Sequence, residues 1–163
     1  PIALKAGSKS ETEDASAYHG LNDATRRFMR LGDLLRNHGR LTGAATEYRK
    51  ALKSQGQYAP MIGHKIAFVL LRLGRLKEAT EEFERVLAMY PDFAPSLASL
   101  AEVFERASQW SSAREYAWRA VTVNPFDPAS HDTLLAACEH TQDKQCTEAE
   151  KRALQILMGE KQR

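Results

Sequence analysis

Three stretches of this chain align with one another: "GRLTGAATEYRKAL" from Gly39, "GRLKEATEEFERVL" from Gly74 and "SQWSSAREYAWRAV" from Ser108. Their starts lie 35 and then 34 residues apart. A period of this length restricts the fold more than any bulk property does. It is the length of one helical hairpin, which cannot bury its apolar face alone and must stack on its neighbours. Ala44, Ala79 and Ala113 set a small residue where two helices come close. Four residues on stand Tyr48, Phe83 and Ala117, and three further on Ala51, Val86 and Ala120. That is the i, i+4, i+7 stripe of a helix with one buried face.

Each of these helices follows a partner with its own stripe: Phe28, Leu31, Gly32 and Leu35; then Ile66, Ala67 and Leu70; then Leu97, Leu100, Ala101 and Phe104. Gly32, Ala67 and Ala101 share a column and read as the small-residue contact inside a hairpin. Gly39 and Gly74 break the chain within pairs, and "YPDFAP" and "NPFDPA" break it between pairs. Pro60, Pro95 and Pro128 fall where a first-turn proline is tolerated, and Asp127 is a fitting N-cap. No alternation or hairpin turn marks a strand.

This pattern closely resembles the tetratricopeptide repeat, over roughly residues 22–158. The fullest repeat is 60–93, with Ala67, Gly74, Ala79, Phe83 and Pro91 in pattern. The resemblance implies an all-α, right-handed superhelical solenoid of antiparallel helix pairs, with about three and a half to four hairpins in an array over 21–158. The repeats are expected at about 22–58, 60–93, 94–127 and 128–158. The sequence departs from the family in two ways. The aromatic early in the first helix survives only as Phe28, with Gly63, Leu97 and His131 in its place later. Gly56 stands where the first repeat would end in proline. Residues 1–20 read as a polar leader with a short helix from about Ser10 to Tyr18, and 159–163 as a tail.

The fourth unit is degenerate. In strict phase its second helix would present Thr147, Lys151 and Leu154. A turn longer by two residues instead presents Ala149, Ala153, Ile156 and Leu157, with Thr147 and Glu150 as a capping box and Gly159 as C-cap, and this register is the one expected. Cys138 then stands in the column of Leu35, Leu70 and Phe104, and Cys146 in that of Leu41, Leu76 and Trp110. Two readings stay open: a pair of buried free thiols, or a disulfide across the last turn. A bonded pair would mean an oxidising compartment, favouring a bacterial periplasm over the cytoplasm. His131, Cys138, His140 and Cys146 lack the short paired spacing of a zinc site, and a thiol in a packing column lacks the base that cysteine catalysis needs.

No phosphate-cradling loop, metalloprotease helix or nucleophile elbow occurs, so no enzyme activity and no cofactor are expected. The net charge of +2 is too small to argue for nucleic acid, and the cluster Arg26, Arg27, Arg30, Arg36 and Arg40 has the spacing of a solvated helix face. Hydrophobic residues make up 43% and charged residues 27%, a globular balance, and the longest apolar run, "IAFVLL", is far short of the ~20 residues of a membrane span. His19, His38 and His64 read as surface or turn residues.

Function then falls to the concave side, lined by the first helix of each pair. The residues there beyond the packing stripe are Arg26, Met29, Asp33 and Arg36; Met61, His64, Phe68, Leu71 and Arg72; Ala98, Glu102, Glu105 and Arg106; and in the fourth pair Asp132, Ala136, Glu139 and His140. Met61, Phe68 and Leu71 suggest an exposed apolar patch between arginines and carboxylates, fitted to a peptide or helix with an apolar centre. The Lys/Asn set by which some family members grip carboxylate tails is absent, since the comparable positions hold Met29, Asp33, His64 and Arg36. The expectation is a scaffold or adaptor that binds another protein, within a larger bacterial protein or complex. The alternatives are self-association into a homo-oligomer and a regulatory domain of a larger enzyme.

Overall fold

The computed structural model describes residues 20–160. Apart from Gly20, the expected leader and its short helix lie outside the described residues, as do positions 161–163 of the tail and His19. Among the described residues there are eight helices and no strand: α1 (Asp23–Asn37), α2 (Leu41–Gln55), α3 (Pro60–Arg72), α4 (Leu76–Met89), α5 (Ala94–Arg106), α6 (Trp110–Val123), α7 (Pro128–His140) and α8 (Lys144–Glu160). Consecutive helices pair as hairpins, and the chain forms two compact units, Pro1–Tyr58 and Ala59–Arg163. The fold is all-α, as the repeat period implies.

The turns inside the four hairpins are built alike. Each has one residue in the left-handed region: Gly39 at φ 72°, Gly74 at 74°, Ser108 at 56° and Gln142 at 58°. The next N–H then reaches back over the turn, from Arg40 to the Leu35 carbonyl at 2.8 Å, Arg75 to Leu70 at 2.9 Å, Gln109 to Phe104 at 2.8 Å and Asp143 to Cys138 at 2.9 Å. These bonds satisfy carbonyls that the ending helix leaves without partners.

The fourth turn therefore keeps strict phase, and the expected two-residue lengthening is corrected. α8 starts at Lys144, and its cap is Asp143, whose Oδ1 accepts the Cys146 N–H at 3.0 Å. Glu150 and Leu154 are buried while Ala149 and Ile156 are exposed, and Gly159 lies inside the helix. Thr147 and Glu150 do not form a capping box: the Thr147 hydroxyl donates to the Asp143 carbonyl at 2.8 Å, and Glu150 turns inward to His131.

In the first unit, Gly32 is the close-approach point. A Cβ there would lie 2.4 Å from Tyr48 Cε1, so the glycine lets α1 settle on the buried tyrosine ring. Thr25, Met29 and Gly32 form the buried stripe of α1. Leu31, expected in that stripe, is 44% exposed. The Asn22 side chain caps α1 through the Thr25 N–H at 2.8 Å and donates to the Ser54 carbonyl at 2.8 Å, tying the start of α1 to the end of α2.

In the second unit, prolines open α3, α5 and α7 within the first two positions, and Asp127 caps α7 by accepting the Ser130 N–H at 3.2 Å. α3 packs on both α4 and α5 and is buried over a wide arc: Ile62, Gly63, Ile66, Ala67, Val69, Leu70 and Leu71. The core continues through Phe83, Leu97, Leu100, Ala117 and Leu134. His131 is buried with it. Its Nε2 donates to the Pro125 carbonyl at 3.0 Å, and its Nδ1 lies 2.6 Å from Glu150 Oε2, a bond that requires a proton between them.

Candidate functional site

The first-helix residues divide between the two units. In the first, Met29 is fully buried, which corrects its expected place on a binding face: it belongs to the buried stripe with Thr25 and Gly32. Asp33 accepts the Tyr48 hydroxyl at 2.6 Å, and Arg36 lies 4.0 Å from the same carboxylate. Arg26 pairs with Asp23 one turn earlier.

In the second unit, α3 lies beside α5 and α5 beside α7. Met61, His64, Phe68 and Arg72 follow one another at helical spacing on α3. Met61 and Phe68 are half-buried and Arg72 is exposed, but Leu71 is fully buried, a second correction to the expected apolar patch. The cause is the neighbouring hairpin: packed on two helices, α3 buries more than the single stripe its partner alone would cover. His64 is not a bare surface residue. Its Nδ1 is 3.1 Å from Ser96 Oγ, and its ring lies 5.6 Å from that of Phe83 and 5.7 Å from that of Phe93, tying α3 to the start of α5.

Next to this apolar stretch stand carboxylates. Glu102 pairs with Arg106 one turn on. Glu105 is half-buried, and burial first, with the Glu102 charge second, pushes its carboxyl above the ordinary value; Arg106, His140 and a hydrogen bond with Thr133 act the other way. On α7, Asp132 is exposed, Glu139 faces Lys151 at 3.4 Å, and the His140 ring stacks on Trp110 with centroids 3.7 Å apart. The face thus runs from apolar on α3 to acidic on α5 and α7.

Cys138 and Cys146 are joined across the last turn, with Cα atoms 5.9 Å apart. Strict phase changes the column of Cys146: its counterpart in the first hairpin is Gly43, not Leu41. A Cβ at Gly43 would lie 3.3 Å from Leu35 Cδ1, so in the first hairpin the same two columns touch. Among the described residues no group of three or more His, Cys, Asp or Glu is placed to hold a metal ion. None of the described helices is long and apolar enough to cross a membrane.

One feature of the second helices was missed by the sequence reading. A cleft of about 630 Å³ lies between α6 and α8, lined by Trp118, Cys146 and Ala149 over the buried Leu134. A sequence signal for it existed. Trp118 stands in a column that holds Arg49, Glu84 and Arg152 elsewhere, all exposed, and a tryptophan in a solvated charged column has no packing reason to be there.

Residues 65–129 match the family model described as tetratricopeptide repeat. That match and this fold support a tetratricopeptide repeat protein. Among curated proteins it is 29% identical over 125 residues to the Protein CTR9 homolog of Arabidopsis thaliana, covering 72% of this chain and 11% of that protein, so the chain spans about a ninth of the relative's length. Among solved structures, an ArsTM double mutant of MamA RS-1, a protein of Desulfovibrio magneticus RS-1, superimposes with a TM-score of 0.75 at 23% identity over 89% of this chain and 80% of that one. The first tetratricopeptide domain of Spaghetti (RPAP3), bound to the HSP90 peptide SRMEEVD, does so with a TM-score of 0.70 at 13% identity over 77% of this chain and 99% of that one. At these identities the structural likeness is one of fold.

Proposed function

We propose that the chain is a protein-interaction scaffold, without catalysis of its own, that holds a peptide or helix of a partner along its first-helix face. The family supports the general statement, and a structural neighbour that holds a peptide supports the mode. The observation that carries the finer reading is the half-buried pair Met61 and Phe68 on α3, with Glu102 and Glu105 on the adjoining α5 and Asp132 on α7. Such a face suits a segment with an apolar anchor followed by basic residues. Phe68→Ala combined with Glu102→Gln tests it, with the buried Leu71 left in place so that binding and folding are separated. Loss of a partner that the wild-type chain retains, at unchanged helical content by circular dichroism, supports the face; retention of that partner contradicts it.

A further inference from the structure

The cleft between α6 and α8 lies on the second helices, away from the first-helix stripe. Arg114, Glu115 and Trp118 approach it from one helix turn to the next on α6, and Cys146, Ala149 and Glu150 do so on α8. Its charges are unequal. Among its lining residues three carboxylates, Glu115, Asp143 and Glu150, face one guanidinium, Arg114. Arg114 is already paired with Asp143, and Glu150 is turned to His131, both within hydrogen-bond distance. Glu115 is exposed and has no ion pair among the described residues. Three residues on, the indole of Trp118 is 60% exposed. The slot therefore offers an aromatic wall at Trp118 and an unpaired carboxylate at its rim.

We infer that this cleft is a second binding site, which takes a lysine or arginine side chain from a segment of another protein. The alkyl stem would lie on Trp118 and Ala149, and the cation would rest between the indole face and the Glu115 carboxylate. Long basic side chains combine an apolar stem with a charged head, and an indole is the most favourable ring for a cation. An acidic segment would meet the unpaired Glu115 carboxylate, and a purely apolar one would leave it without a partner.

The test uses the whole chain and acetylated, amidated alanine pentapeptides with arginine, lysine, norleucine or glutamate at the centre. Binding is followed by the indole N–H resonance of Trp118 in NMR titrations. The arginine and lysine peptides are expected to bind about five- to tenfold tighter than the norleucine peptide, a cation–π contribution plus a charge contact at a partly exposed site. Glu115→Gln should remove most of that advantage, and Trp118→Ala, read by calorimetry, should abolish binding while helical content stays. Phe68→Ala should leave all four peptides unaffected, which separates this cleft from the first-helix face. Norleucine binding as tightly as arginine would overturn the inference, as would indifference to Glu115→Gln. So would concentration-dependent self-association that Glu115→Gln abolishes, since the slot would then be an interface between copies of this chain.

Discussion

At Gly32 the chain has no room for even one methyl group. Gly32→Ala sets a Cβ against the buried Tyr48 ring, which is held at its far end by Asp33 and cannot swing aside. Overpacking of this kind costs about 1–3 kcal/mol, so the variant should melt several degrees lower in a thermal scan. The bond between His131 and Glu150 makes a second single-residue prediction. Glu150→Ala leaves a buried imidazole nitrogen without its partner and should cost about 1–3 kcal/mol, measured by urea denaturation. Glu105 makes a pH prediction. Its carboxyl is raised above the ordinary value of 4.5, so the folded state holds this proton more tightly than the unfolded chain does. The destabilisation is fully present at neutral pH and is relieved as pH falls through the raised value and then 4.5. Glu105→Gln should flatten this part of the stability–pH curve; an unchanged curve would deny the residue that role.

At the scale of the element, the turn decides the hairpin. Gly39 and Gly74 occupy the left-handed position in two hairpins, but Ser108 and Gln142 hold it in the others. A side chain there is strained, so Ser108→Gly should raise stability by up to about 1 kcal/mol despite removing a side chain, which a thermal melt would show. The disulfide closes a loop with a sequence separation of 8, for which loop entropy gives about 2–3 kcal/mol; reductant should lower the melting temperature accordingly, and the Cys146→Ser chain should be insensitive to it.

These same elements show what could be read in advance. The repeat period, the helix pairs and the prolines at helix starts were legible because they follow from local chemistry repeated in phase. The register of α8 was not. Apolar content alone favours the longer turn, but Gln142 at φ 58° and the Asp143 N–H on the Cys138 carbonyl repeat the turn of the other hairpins and fix the phase. In that phase Lys151 and Ile156 both face solvent. Met29 and Leu71 were misplaced for the opposite reason. Their burial depends on how closely two helices approach, which Gly32 and the neighbouring hairpin set from outside their own stripe. The cysteine column was half legible: Cys138 was placed correctly, and Cys146 was shifted with the misread turn.

At the scale of the molecule, the unit Ala59–Arg163 is a run of three helix pairs, α3 to α8. That unit contains its own continuous core from Ile62 to Leu154 and both candidate faces. Residues 59–163 produced alone should therefore fold cooperatively, and a gradual, featureless melt would contradict this. The central claim is that the first-helix face holds a partner. The most direct measurement is quantitative affinity capture with three immobilised chains compared side by side: wild type, Phe68→Ala with Glu102→Gln, and Trp118→Ala. Each is to be matched for helical content, and the captured species identified by mass spectrometry. The account predicts at least one protein retained by the wild-type and Trp118→Ala chains and lost from the Phe68→Ala, Glu102→Gln chain. An identical set of proteins on all three chains would contradict it.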